Sequence, residues 1–218
     1  MDREFWLDRW RSRRLGWHLE EVNPHLTAFW PDMPVAGDGR VLVPLCGKSV
    51  DMRWLAERGH AVVGVEISEQ ACAEFFDEPG WTPEVTTAGE WTRYRAGGVE
   101  ILCGDLFDLD AATLGPVDAV FDRGSLIALP PAMRPAYAER MAALLPERPP
   151  RLLVTLDYPQ HEMDGPPFAV TGEEVAALLG GGYRVACLRD WDVLEESPRF
   201  KAQGLTRLHE RVYRLTAG

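Results

Sequence analysis

The sequence predicts an α/β domain: a mostly parallel, twisted sheet with helices on both faces and an antiparallel last strand. Three observations carry this expectation. Residues 40–68 read as strand, tight turn, helix, strand and terminal acid. The apolar runs at 41–43, 61–65, 117–121 and 152–156 are too short for helices, are rich in valine and leucine, and suit strands buried on both faces. The last two strands, 183–188 and 208–215, flank a segment without a convincing crossover helix. Parallel neighbours need such a crossover, so this pair should run antiparallel.

From the start of the chain, Asp2 can cap a helix running to about Arg14, in which Trp6 and Trp10 share a face. Leu15-Gly16-Trp17-His18 breaks it. Asn23-Pro24 then opens a second helix as cap and first-turn proline, ending before Pro31. Four of the eight tryptophans fall in the first 30 residues, ahead of the first strand. Residues 1–35 therefore form either an amphipathic cap over a sheet edge or a lid that stacks on flat ligands.

The stretch 40–68 organises the rest. After the strand at 41–43, Pro44 to Lys48 turns the chain, Ser49 can cap a helix carrying Val50, Met52, Trp54 and Leu55, and Gly59 ends it. The second strand ends at Glu66, 19 residues after Gly47, near the ~20 expected of a carboxylate that binds ribose hydroxyls. Gly47-Lys48-Ser49 looks like the tail of a phosphate loop, but Leu42 stands where that loop needs a glycine. One glycine, flanked by Leu45 and Cys46, is also too few for a dinucleotide's pyrophosphate. The turn suits an adenosine cofactor without a pyrophosphate. S-adenosyl-L-methionine fits, and NAD fits poorly.

Beyond Glu66, Ser68 can cap a helix through Phe76, and residues 77–90 read as loop. Gly97-Gly98 joins 91–94 and 99–103 as a hairpin, with Asp105-Leu106 just past it. The strand 117–121 leads into Asp122-Arg123-Gly124-Ser125, and a helix follows over about 132–145. Thr171 and Glu174 form a capping box for a helix ending at Gly180.

The 218 residues suffice for one domain with a sizeable core. A net charge of −11 argues against nucleic acid and anionic membrane as partners, because both require a cationic face. Cys46, Cys72, Cys103 and Cys187 lie far apart and suggest neither a disulfide framework nor a metal site. No signal peptide or bilayer-length apolar run is seen, so the expectation is a reduced, cytoplasmic, soluble protein. Lys48 and Lys201 are its only lysines, leaving little room for lysine chemistry.

Phe-Trp-x-x-Arg-Trp (5–10), Gly-Trp-His (16–18), Pro-Leu-Cys-Gly-Lys-Ser-Val-Asp-Met-Arg-Trp (44–54), Arg-Gly-His-Ala-Val-Val-Gly-Val-Glu-Ile-Ser (58–68), Phe-Asp-Leu (107–109), Phe-Asp-Arg-Gly-Ser-Leu (121–126) and Gly-Pro-Pro-Phe (165–168) together resemble the thiopurine S-methyltransferase family. The resemblance runs from the first helix to the last strand and implies a Rossmann-like methyltransferase fold. It implies that Trp10, Leu45, Glu66 and Arg123 contact S-adenosylmethionine along the Gly47 turn, with Asp105-Leu106 at the adenine. Trp17 matches an aromatic beside the sulfur acceptor, and Arg199 matches a substrate-side arginine. The implied protein is a monomeric enzyme acting on a small aromatic or heterocyclic thiol, with selenium or tellurium species as further acceptors.

Residue chemistry supports part of this and leaves alternatives. Glu66 offers two acceptor oxygens to two ribose hydroxyls. Arg123 can grip a methionine carboxylate or an anionic acceptor. Arg199 either handles the acceptor or pairs with Glu195 or Glu196. Lys48 reads as a solvated turn residue, Asp51 as a complement to a helix dipole, Cys46 as a buried filler, and His18 as a weak candidate base. Methyl transfer from a sulfonium to a thiolate gains most from alignment in a dry site, so no catalytic base is assigned. The other readings are methylation of an oxygen or nitrogen nucleophile, and a protein that binds the cofactor without turnover.

Overall fold

The computed structural model describes residues 3–16 and 18–218. In chain order these form α1 (Arg3–Arg11), α2 (Pro24–Phe29), β1 (Arg40–Pro44), α3 (Asp51–Glu57), β2 (Ala61–Glu66), α4 (Glu69–Asp77), β3 (Glu84–Ala88), β4 (Trp91–Ala96) and β5 (Val99–Cys103). Then come α5 (Ala111–Leu114), β6 (Ala119–Arg123), α6 (Ser125–Ala128), α7 (Arg134–Leu144), β7 (Arg151–Asp157), α8 (Gly172–Leu179), β8 (Tyr183–Asp192), α9 (Pro198–Ala202) and β9 (His209–Ala217).

The strands join in one nine-stranded sheet ordered β3-β4-β5-β2-β1-β6-β7-β9-β8. The central pairs β5–β2, β2–β1, β1–β6 and β6–β7 are parallel, whereas β9 opposes both its neighbours, as expected of an antiparallel last strand. The two-residue period of a strand explains the two cores. Val41, Val43, Val62, Phe121, Leu152 and Val154 face one cluster, completed by Leu26, Met52, Phe75 and Phe76 from α2–α4. Leu42, Val63, Val65, Val120 and Leu153 face the other, with Tyr137 and Met141 of α7 and Val175 of α8. The chain leaves β1 for β2 on one side and later returns to place β6 on the other. That reversal opens a crevice beyond the carboxyl ends of the central strands, where α/β sheets bind ligands.

Three local expectations change. Residues 84–88, expected as loop, form edge strand β3, paired Thr87 to Thr92. All five positions are exposed, so no apolar alternation marks them; the signal was the β-branched Val85-Thr86-Thr87. Helix α3 begins at Asp51, one residue late, because the Ser49 hydroxyl accepts the Asp51 N–H at 3.3 Å rather than a later one. The segment before β9 does hold a helix, α9, but its five residues are too short for a crossover and the β8–β9 pair is antiparallel. Asn23, Ser68 and Thr171 cap α2, α4 and α8 as their sequence positions predict. Glu174, however, gives its carboxylate to Arg134 instead of completing the box.

Candidate active site

The turn after β1 is shaped by two residues with positive φ, Leu45 at 47° and Gly47 at 54°. A branched side chain rarely adopts that conformation, so Leu45 marks a turn that its surroundings over-determine. Those supports are visible. The Cys46 N–H donates to the Val65 carbonyl at 3.0 Å, extending the β1–β2 ladder by one bond. The Gly47 N–H donates to Glu66 Oε2 at 2.8 Å, and the Ser68 N–H donates to Glu66 Oε1 at 2.8 Å.

Each Glu66 oxygen therefore accepts one backbone donor and keeps a further lone pair for a ligand. The residue is 6% exposed. Burial raises its pKa to about 7, against the pull of the Ser68, Gly47 and Ile67 amides.

Beside it lies a cavity of about 540 Å³. Its floor is Ile67 to Gln70 after β2 and Cys103 to Asp105 after β5; α1 roofs it with Arg3, Leu7 and Arg11. These three are four residues apart and so share a face, a spacing legible in the sequence but not singled out there. Trp91 closes a side, and Gly104 is glycine because a Cβ would stand 2.5 Å from that indole. Asp105 reaches the cavity while accepting the Phe107 N–H at 2.9 Å. Leu106 does not line the cavity; its side chain is buried in the core below.

Trp10 is the buried residue of α1, and its ring lies over the turn, 3.4 Å from where a Gly47 Cβ would be. Arg123 ends β6, half-buried, with no hydrogen bond or ion pair from its guanidinium among the described residues. His18 is half-buried near it. Burial first, then the positive charges of Lys48 and Arg123, outweigh Glu78 and Glu20 and lower its pKa, keeping the ring neutral at pH 7. Arg199 pairs with neither Glu195 nor Glu196; Lys201 takes Glu195. Instead, Arg199 Nη1 donates to the Gly16 carbonyl at 2.8 Å. Burial and the charges of Arg14 and Arg199 lower the pKa of Arg9, so these arginines crowd one corner. Trp17 lies outside the described residues.

Two turn residues differ from expectation. Lys48 is not solvated: its ammonium is held by Glu74 of α4 at 2.8 Å and by Glu78, the residue that caps the end of α4, at 2.7 Å. Asp51 does more than complement a dipole. It is buried, and its carboxylate accepts the Asn23 N–H at 2.7 Å and the Ser49 hydroxyl at 2.9 Å. The sequence shows both residue types in the turn, but Glu74, Glu78 and Asn23 lie 26, 30 and 28 residues away from the residues they bind and are brought there by packing.

Comparison with known proteins agrees with this geometry. The family description "Thiopurine S-methyltransferase (TPMT)" matches residues 1–218. A thiopurine S-methyltransferase of Pseudomonas fluorescens (strain Pf0-1) is 50% identical over 215 residues, covering 99% of both chains. One from Nitrosospira multiformis is 47% identical over 215 residues, covering 99% of this chain and 98% of its own. Among solved structures, the Burkholderia thailandensis 1,6-didemethyltoxoflavin-N1-methyltransferase, with bound 1,6-didemethyltoxoflavin and S-adenosylhomocysteine, superposes with a TM-score of 0.61. It is 21% identical, covering 98% of this chain and 87% of that one, and the likeness is one of fold.

Proposed function

Because the chain belongs to the thiopurine S-methyltransferase family of S-adenosylmethionine-dependent methyltransferases, we propose that it methylates the sulfur of a small aromatic or heterocyclic thiol. The observation that supports the site assignment is the buried Glu66 carboxylate, held by two backbone amides; it does not itself line the 540 Å³ cavity, but the residues that follow it, Ile67 and Ser68, do. The residues present fit the cofactor. Glu66 would accept from both ribose hydroxyls, Asp105 would border the base, and Arg123 would take the methionine carboxylate. Trp10 and the backbone of Leu45 and Gly47 would enclose the remainder.

When bound, S-adenosylmethionine supplies a methyl group on a positively charged sulfur. This chain's residues must then align a thiolate with that methyl and keep water away. Trp10 over the turn, with Trp17 next to the Gly16 that Arg199 holds, would provide aromatic walls. Arg199 and Arg123 would favour the ionised acceptor and orient it. A thiol that ionises near neutrality needs no general base, so none is assigned; the neutral His18 is the nearest candidate for an acceptor that holds its proton more tightly.

Residues 1–35 act in this reading as a cap over the cofactor, supported by the α1 side chains in the cavity roof and the Arg13–Glu74 ion pair at 3.4 Å. A cytoplasmic monomer acting on small molecules accords with a net charge of −11, and no described helix is long and apolar enough to cross a membrane. Transfer from labelled cofactor across thiols, phenols, amines and chalcogen oxyanions tests the proposal. Methylation of an aromatic thiol above every other class is expected. Preference for a phenol or amine, or binding without product, would overturn it.

A further inference from the structure

Glu74 of α4 has no assigned part in the cofactor site, yet its carboxylate joins three pieces of it. Oε2 accepts from Lys48 Nζ at 2.8 Å. Oε1 accepts from the Gln70 side-chain amide at 2.8 Å and pairs with Arg13 Nη2 at 3.4 Å. Lys48 belongs to the turn after β1, Gln70 lines the cavity, and Arg13 stands two residues past the end of α1. The Glu74 side chain is only 18% exposed, and charges partly withdrawn from water are screened less than those on an open surface.

These links close a ring. The Arg13 N–H donates to the Trp10 carbonyl at 3.1 Å. The Trp10 indole lies over Gly47, and Lys48 follows Gly47 in the chain. The path therefore runs from cap to turn through the indole and returns through Lys48, Glu74 and Arg13. Arg13 also has a φ of 51°, a conformation uncommon outside glycine that persists where the surroundings over-determine it. Glu78 supplies a contrast. It too holds Lys48, at 2.7 Å, but its other ion-pair partner among the described residues is Arg53 of α3, at 3.3 Å, rather than the cap.

We propose that Glu74 is a positioning residue for the cofactor site, whose carboxylate couples the seating of the cap helix to the shape of the Gly47 turn. Lys48 steadies the turn whose Gly47 amide donates to Glu66. Arg13 steadies the helix whose Arg3, Leu7 and Arg11 roof the cavity. Ordering either one orders the other, because both are held by the same group. Removing the charge of Glu74 leaves Lys48 with Glu78 but leaves Arg13 with no other ion pair among the described residues. The effect on ligand binding rests on the reading of the cavity as the adenosine site.

The test compares Glu74→Gln with Glu78→Gln in the full chain. Each removes one charge from Lys48, and only the first also removes the tether of Arg13. Without ligand, hydrogen exchange over residues 3–16 should quicken in Glu74→Gln and match wild type in Glu78→Gln. S-adenosylhomocysteine affinity by calorimetry should fall by about five- to tenfold in Glu74→Gln and by less than about twofold in Glu78→Gln. Arg13→Asn removes the guanidinium with a residue that tolerates the left-handed backbone. It should quicken exchange over the cap and weaken S-adenosylhomocysteine by about threefold, and Arg13→Lys should restore most of both. Combining Arg13→Asn with Glu74→Gln should quicken cap exchange no further than Glu74→Gln alone, since both break one link.

The Arg13 side chain is 71% exposed, so Arg13→Asn carries the test even if Glu74→Gln proves unstable. Cap exchange that is equal in Glu74→Gln and Glu78→Gln, that is unchanged in Arg13→Asn, or that adds in the double variant would overturn the inference. Equal S-adenosylhomocysteine affinities in Glu74→Gln and Glu78→Gln would also overturn it. Failure of the wild type to bind S-adenosylhomocysteine would instead overturn the cofactor-site reading, and the ligand-free exchange would still decide whether Glu74 seats the cap.

Discussion

Replacing Glu66 by Gln should separate two effects of the buried acid. An ordinary glutamate ionises near 4.5, while Glu66 in the folded chain does so at about 7. Between those values the folded protein keeps a proton that the unfolded chain has released. Stability should therefore fall as pH rises through this window, unlike the case of an acid whose pKa is depressed on folding. The full gap is worth about 3 kcal/mol at about 1.36 kcal/mol per pH unit. A practical interval avoids the pI of about 4.9, where low net charge favours precipitation.

From pH 5.8 to 8.5 the ionisation should cost the wild type about 1.5 kcal/mol more than the glutamine variant. Glutamine presents an amide to one backbone N–H, a fixed cost of about 1–3 kcal/mol that cancels between the two pH values. For a chain of this size the difference corresponds to about 3–6 °C in the pH dependence of Tm, read by calorimetry of both proteins without ligand. S-adenosylhomocysteine affinity should also rise through pH 7 in the wild type, because only the carboxylate accepts from both hydroxyls. In the variant it should be flat and at least about tenfold weaker. Parallel Tm curves and equal affinities would show that Glu66 is neither buried as a carboxylate nor a ribose ligand.

Lys48→Met keeps the stem but removes two ion pairs to α4, one nearly enclosed; stability should drop by about 1–3 kcal/mol in urea melts, and Lys48→Arg should recover part of it. Arg199→Met should weaken acceptor KM or turnover by about tenfold, most for anionic thiols, while S-adenosylhomocysteine affinity holds; wild-type kinetics would leave Arg199 as a tether for Gly16 alone. Deleting residues 1–20 should abolish turnover and weaken cofactor binding but leave a folded sheet by circular dichroism. In the full chain, ligand should increase hydrogen-exchange protection over α1, and protection already high and unchanged would identify a fixed cap.

The central fold was legible because its signals are local. Val41–Val43 and 61–65 must be strands buried twice, Gly47 must turn, and an acid at 66 falls where the second strand ends. Edge strand β3 has no buried face to imprint an alternating pattern, which left only the β-branched Val85-Thr86-Thr87 to mark it. At the site, the residue types were readable but their partners were not. Lys48 looks solvated until α4 brings Glu74 and Glu78 to it. Arg199 looks paired with its own loop until the chain places Gly16 beside it. Leu106 neighbours Asp105 in sequence, yet turns into the core because the short helical turn at 106–108 rotates its side chain away from the cavity.

The supports of the turn also explain how a buried carboxylate is tolerated. Glu66 is stabilised by amides belonging to Gly47, Ile67 and Ser68, and two of these would be left without side-chain acceptors if it turned away. The first holds the turn in its positive-φ shape; the third begins the cap of α4. Lys48 ties the same turn to α4, Asp51 ties the following helix to Asn23, and Trp10 rests on Gly47. A cap, a turn and a helix start therefore share one frame, with the carboxylate at its centre. Ligand hydroxyls that donate to Glu66 would offset part of its ionisation cost, which makes cofactor binding and the ordering of this frame the same event. On that account the cap should tighten when the cofactor's ribose is present and remain loose with methionine alone, because only the ribose reaches the group on which the frame depends.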